Sequence, residues 1–125
     1  MTPLHKVIVN KKTNLNPVWI MRQAGRYLPE FRKIRKNNPN FIELCLNHKL
    51  TSEITLQPIK RFNLDAAIIF SDILMLPYGL RQKVEFKKDF GPILGALNIS
   101  SMSKIDEVDF VEKIYPVYKA IKFVS

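Results

Sequence analysis

A single cysteine, Cys45, stands in the 125-residue sequence, so no internal disulfide is available, and a reducing, cytoplasmic setting is the default expectation. No apolar run approaches the roughly 18 residues that a membrane helix needs. The opening Met1-Thr2-Pro3-Leu4-His5-Lys6-Val7-Ile8-Val9 has neither the apolar core of a secretory signal nor the Arg- and Ser-rich character of a transit peptide. No membrane association is therefore expected. Only two histidines, His5 and His48, accompany the cysteine, and none of the three has metal-ligand spacing. Internal repeats and low-complexity stretches are absent. With 46% hydrophobic and 25% charged residues, the composition excludes disordered, collagen-like and disulfide-scaffold classes. Acidic residues are scarce in one half only. Residues 1–61 carry twelve basic and three acidic side chains, residues 62–125 carry eight of each, and the whole formal charge of +9 lies in the first half.

Pro17-Val18-Trp19-Ile20-Met21 follows a polar stretch and reads as a buried strand, with Trp19 and Met21 in the core. Leu28-Pro29-Glu30 marks a helix start, because proline suits the first turn and an acid there complements the helix dipole; this helix is expected to run to about Lys36. Asn40, three residues before Glu43, resembles a capping arrangement for a helix over Phe41 to Leu46. Thr51 to Arg61 reads as a helix interrupted by Pro58. Ala66 to Phe70, apolar on both faces, suits a strand of a helix-covered parallel sheet. Val84 to Phe86 alternates like an exposed strand, Gly91-Pro92 reads as a turn, and Glu107 to Val124 as an amphipathic helix. Strand, helices, strand, loop and helix begin a βα series that needs more strands than these. The expected class is α/β, with the chain as the N-terminal part of a larger fold.

Two places carry chemistry. Arg22-Gln23-Ala24-Gly25-Arg26 lies just past a buried strand, where α/β folds place ligand loops. Two guanidiniums four residues apart around a glycine can converge on one anion, each able to bind a carboxylate bidentately. Downstream, Phe31 and Ile34 mark a buried helix stripe; Arg35 borders it as the best third contact, while Arg32, Lys33 and Lys36 face water. A merely solvated basic face fits the same residues. The second place is Asp72, a lone carboxylate directly after the apolar segment and ahead of Ile73 to Pro77. An acid there is costly unless it is paired or has a task; a turn-forming or capping Asp is the competing reading.

The run from Pro17 to Arg32, which includes Arg-Gln-Ala-Gly-Arg-Tyr-Leu-Pro-Glu-Phe-Arg, resembles the N-terminal signature of the uroporphyrinogen decarboxylase family. Thr55 to Phe62 and Leu64 to Leu74 are similar to the family's next two blocks, in the same order. The resemblance covers Pro17 to Ile121. It weakens after Leu76, where Gly79 and Arg81 stand in place of an expected Ala and Gly, and it leaves out Phe123-Val124-Ser125. It implies a (β/α)₈ TIM barrel, homodimeric, of which residues 1–125 are an incomplete N-terminal portion. It further implies removal of carbon dioxide from the four acetate side chains of uroporphyrinogen III, giving coproporphyrinogen III in haem biosynthesis, with no metal or organic cofactor. By the same resemblance Arg22, Arg26 and Arg35 clamp substrate carboxylates, and the backbone around Ala24, with Gln23 and Gly25 beside it, lies against the substrate. Asp72 faces the pyrrole N–H groups. The early positive charge thus acquires a partner, a tetrapyrrole polycarboxylate rather than nucleic acid, and the fragment alone is expected to be poorly soluble and inactive. His5 and His48 read as surface residues, Cys45 as an inert thiol, and Tyr27 and Phe31 chiefly as packing.

Two other classes fit less well. A small basic nucleic-acid-binding module would use residues 22–36 against phosphate, but no binding motif is present and Tyr27 and Phe31 read as lying on the apolar side of the helix. A corrinoid-linked methyltransferase on the same barrel would bind zinc and lack the Arg-Gln-Ala-Gly-Arg block.

Overall fold

Side-chain caps decide where most helices begin. The computed structural model describes residues 2–11, 14–20, 26–87 and 89–125. Helix α1, Pro3–Asn10, opens on Thr2, whose hydroxyl accepts the His5 N–H at 3.3 Å, and none of its residues is buried. Helix α2, Pro29–Asn37, has Pro29 in its first turn, Glu30 beside it and Arg35 and Lys36 in its last turn, the charge order that a helix dipole favours. Asn40 caps α3, Phe41–Cys45, by accepting the Glu43 N–H at 3.3 Å. Helix α4, His48–Phe62, starts three residues earlier than the apolar pattern indicates because Asn47 accepts the Leu50 N–H at 3.1 Å. Helix α5 is Met75–Gly79, α6 is Ile99–Met102, and α7, Glu107–Val124, is capped by Asp106 through the Asp109 N–H at 2.8 Å.

Among the described residues the only regular sheet is an antiparallel pair, β1 (Val84–Lys87) and β2 (Gly91–Leu94), in register Val84 to Leu94 and Lys87 to Gly91. Gly91-Pro92 is therefore not the turn the sequence pattern indicates; it opens β2. Asp89 and Phe90 turn the chain, and Gly91 at φ 84° takes a backbone conformation that only glycine adopts freely. Pro92 is tolerated because a strand in a two-stranded sheet leaves one edge free of ladder bonds.

The two apolar segments expected as strands, 17–20 and 66–70, are not regular strands. They meet once. The Asp65 N–H donates to the Val18 carbonyl at 3.0 Å, and the Val18 N–H donates to Asp65 Oδ2 at 2.9 Å. Trp19, expected in the core, is 39% exposed. A strand that is apolar on both faces needs covering layers on each, and the described residues supply only part of that cover. Met21 lies outside the described residues.

The core has two lobes joined by one ring. Leu28, Phe31, Leu44 and Ile54 form the first, and Ile42, Cys45 and Met75 the second. Phe70 packs against both, meeting Phe31 edge-on at 5.6 Å and Phe41 at 6.1 Å. Phe31 is thus packing, as expected, whereas Tyr27 is exposed and lies in the turn before α2 rather than on the helix's apolar side. Helix α7 lies against α4: Ser52 Oγ donates to the His48 carbonyl at 2.6 Å and to the Ala120 carbonyl at 3.3 Å, and the half-buried His48 ring sits 5.2 Å from Phe123.

The two departures from the expected family pattern have separate structural meanings. At Gly79 an added Cβ would come within 2.5 Å of Phe110 on α7, so glycine permits α5 to sit tightly on α7. Arg81, where glycine is expected, still has a left-handed backbone at φ 59°, which costs a non-glycine residue about 1–2 kcal/mol. Its ion pair with Asp109, 3.6 Å and half exposed, offsets little of that. Arg81→Gly is expected to stabilise the fold by about 0.5–1 kcal/mol, after allowing for glycine's greater unfolded-state freedom. Thermal unfolding checks it: a lowered midpoint would contradict the strain.

Candidate active site

Buried Leu28 and Phe31 anchor the start of α2 on the core, and the turn before it carries Arg26 at the surface. No described residue pairs with the Arg26 guanidinium. Arg22, Gln23, Ala24 and Gly25 lie outside the described residues. Arg35 takes the predicted place at the edge of the buried stripe: it is half-buried, while Arg32, Lys33 and Lys36 are exposed. Its Nη1 donates to the carbonyls of Asn38 and Pro39, both at 2.6 Å, and the guanidinium lies 5.4 Å over the Phe41 ring. Arg35 therefore fixes the α2–α3 loop, and any clamp it forms uses its remaining N–H groups.

Asp72 is half-buried, two residues after Phe70. Its Oδ1 accepts the Leu74 N–H at 2.9 Å and its main-chain carbonyl accepts the Met75 N–H at 3.0 Å. The turn-forming role is real, and it leaves Oδ2 with no hydrogen-bond or ion-pair partner among the described residues. A carboxylate held by one oxygen and open at the other is oriented without being neutralised.

Two residues that the sequence pattern did not single out position this aspartate. Thr55 Oγ1 donates to the Thr51 carbonyl at 2.6 Å and accepts the Phe70 N–H at 2.8 Å, which ties the chain just ahead of Asp72 to the buried face of α4. Asp65 fixes the other end of the same segment against Val18. The signals were present: threonines four apart on a helix, and an acid opening an apolar run. Their partners, however, are tertiary.

Asp72 and Arg35 both act on Cys45. Burial pushes that thiol from 9.0 up to about 12, with the Asp72 charge adding to the rise and the Arg35 charge opposing it. Two candidate site residues therefore lie within electrostatic reach of one buried sulfur. Cys45 is 1% exposed, and the thiolate is the reactive form, so alkylation at pH 8 is expected to be slow in the native state and rapid in urea. Because the folded thiol titrates above the unfolded one, stability should also fall as pH rises past about 9. Rapid native-state labelling would contradict this placement.

The sequence model for the family described as "Uroporphyrinogen decarboxylase (URO-D)" matches residues 1–125. The chain belongs to the uroporphyrinogen decarboxylase family. Among curated relatives, the uroporphyrinogen decarboxylase of Agrobacterium fabrum (strain C58 / ATCC 33970) is 47% identical over 115 residues, covering 92% of this chain and 33% of that protein. That of Rickettsia canadensis (strain McKiel) is 51% identical over 109 residues, covering 87% of this chain and 32% of its own length. The Rickettsia massiliae (strain Mtu5) protein is 47% identical over 123 residues, covering 94% and 36%. The chain thus spans about a third of the length of the curated relatives it matches. The uroporphyrinogen decarboxylase match is wider than the Pro17 to Ile121 resemblance and takes in both α1 and the closing Phe123-Val124-Ser125. Among the described residues no helix is long and apolar enough to cross a membrane, and no three His, Cys, Asp or Glu side chains gather as a metal site.

Proposed function

We propose that this chain forms the N-terminal portion of a (β/α)₈ barrel and contributes substrate-binding and catalytic groups to the decarboxylation of uroporphyrinogen III to coproporphyrinogen III. Family membership over residues 1–125 carries the reading, and the open oxygen of Asp72 and the exposed guanidinium of Arg26 support it. A cytoplasmic homodimer is the setting proposed for the complete protein.

Losing carbon dioxide from an acetate arm requires a sink for the electron pair of the breaking carbon–carbon bond. A pyrrole protonated on a ring carbon supplies one as a cationic, iminium-like system, so the reading invokes neither a metal nor an organic cofactor. The pair flows into that cation as carbon dioxide leaves; the exocyclic carbon then takes up a proton and the ring proton is released, leaving a methyl group. An ionised Asp72 beside the pyrrole N–H groups stabilises the cation as it develops, which is selective binding of the transition state. Arg22, Arg26 and the free N–H groups of Arg35 hold the carboxylate arms, while the backbone of Gln23, Ala24 and Gly25 lies against the macrocycle. Holding the arms contributes orientation rather than chemistry.

The test replaces the matched third of the Agrobacterium fabrum uroporphyrinogen decarboxylase with residues 1–125 of this chain. Coproporphyrinogen formation within about tenfold of the parent is expected. A soluble, folded chimera with no turnover would overturn the reading, and tight, salt-sensitive DNA binding in its place would favour the nucleic-acid module.

A further inference from the structure

Arg35 and Asp72 stand on different elements, helix α2 and the turn into α5, and no hydrogen bond or ion pair joins them among the described residues. A series of contacts through Phe70 connects them instead. The Arg35 guanidinium lies 5.4 Å over the Phe41 ring, Phe41 meets Phe70 edge-on at 6.1 Å, and Asp72 follows Phe70 by two residues. Their opposed pulls on the Cys45 thiol put both side chains within electrostatic range of one point. Edge-on rings tolerate a range of separations, so the aromatic contacts alone leave Phe70 free to slide. The Phe70 N–H is held more strictly. It donates to Thr55 Oγ1 at 2.8 Å, and that hydroxyl in turn donates to the Thr51 carbonyl at 2.6 Å. Thr55 is β-branched, 1% exposed and set in the middle of α4, and its bond to the carbonyl four residues back selects its rotamer. The acceptor that Phe70 meets therefore has a fixed position.

We propose that Thr55 is a positioning residue: through the Phe70 N–H its hydroxyl sets the separation and mutual orientation of Arg35 and Asp72, and the rate of the decarboxylation proposed above depends on it. The dependence of rate rests on the decarboxylase reading, whereas the registration of the two side chains does not. Arg35 would hold a carboxylate arm while Asp72 stabilises charge on the ring, so the two must be in register at the same moment. Out of register, each still meets its own part of the macrocycle, and the loss falls on alignment rather than on binding.

The experiment is made in the full-length chimera described above. Thr55→Val keeps the shape of the side chain and removes the acceptor; kcat is expected to fall at least about tenfold with KM changed no more than about threefold. Thr55→Ser restores the hydroxyl and should bring kcat back to within about threefold of the parent. Thr51→Val makes the same change one turn earlier, at a residue also 1% exposed whose hydroxyl bonds to the Asn47 and His48 carbonyls, and should leave kcat unchanged. Because Thr55 acts through Asp72, adding Thr55→Val to Asp72→Asn should lower kcat by no more than about threefold further, well short of the product of the two single effects. Parental kcat in a folded Thr55→Val, a loss confined to KM, an equal loss in Thr51→Val, or fully multiplicative effects would each overturn the proposal. Where Thr55→Val does not fold, Thr55→Cys takes its place: it retains a weaker acceptor, kcat is expected to fall at least about threefold, and the same outcomes decide. Crystal structures of the parent chimera and the variant separate the two readings. With an inactive parent, a displacement of Asp72 relative to Arg35 by about 1 Å in the variant upholds the registration and removes the decarboxylase reading alone, and an unmoved pair overturns the registration. With an active parent, unchanged kcat in the variant removes the role of Thr55 alone.

Discussion

Asp72→Asn, made in a chain that carries the whole barrel, is expected to lower kcat by about 10²–10³-fold, the usual effect of removing one electrostatic contact to charge that develops in a transition state. Substrate affinity should change by no more than about threefold, because the proposed function assigns binding chiefly to the arginines that hold the carboxylate arms. The substitution is informative because asparagine keeps an oxygen where Oδ1 accepts the Leu74 N–H. The turn into α5 therefore survives, and a residue that served only as a turn former would lose almost nothing. What disappears is the negative charge that the proposed function sets beside the pyrroles. Steady-state kinetics decide: kcat near the parent value would leave Asp72 as a structural residue, and an equal rise in KM with kcat unchanged would make it a ground-state contact.

Arg26→Ala in the same full-length context is expected to weaken substrate binding by about 10- to 100-fold, the range for losing a hydrogen bond to a charged group. Arg26 is exposed and no described residue pairs with it, so its removal leaves no buried carboxylate behind and little stability is at stake. Arg26→Lys keeps the charge but loses the planar fork, and should recover only part of the affinity. Unchanged affinity for the proposed tetrapyrrole polycarboxylate in Arg26→Ala would assign the residue to the solvated basic face. Arg35→Ala would be a poorer test, since it also releases the Asn38 and Pro39 carbonyls.

Local chemistry was legible in the helices with the clearest start signals. Helix α7 runs from Glu107 to Val124 as its periodicity indicates, and α2 and α3 fall where Pro29 and Asn40 place them. Helix α1 was not read because eight residues with three β-branched side chains carry a weak pattern. The two apolar segments carry the pattern of strands yet are not regular strands among the described residues, because a sequence pattern states what a residue would bury against and not where that layer comes from. The Arg-Gln-Ala-Gly-Arg block and Asp72 stood out through residue type and resemblance. Thr55 did not, because its partner, the Phe70 N–H, lies fifteen residues away. For Arg35, helical spacing found the position at the stripe's edge, while the short links to the loop carbonyls depend on how Asn38 and Pro39 turn.

The hydrogen bond from Ser52 to the Ala120 carbonyl spans 68 residues, and it sets a timetable. Helix α4 is synthesised early, yet the face it turns to α7 stays bare until the last turns of α7 have left the ribosome. Local helix formation can precede that moment, but closure of a loop this long is the slow, entropy-limited step. During synthesis the nascent chain therefore passes through a long window in which the side of α4 that carries Ser52 has no α7 to lie against.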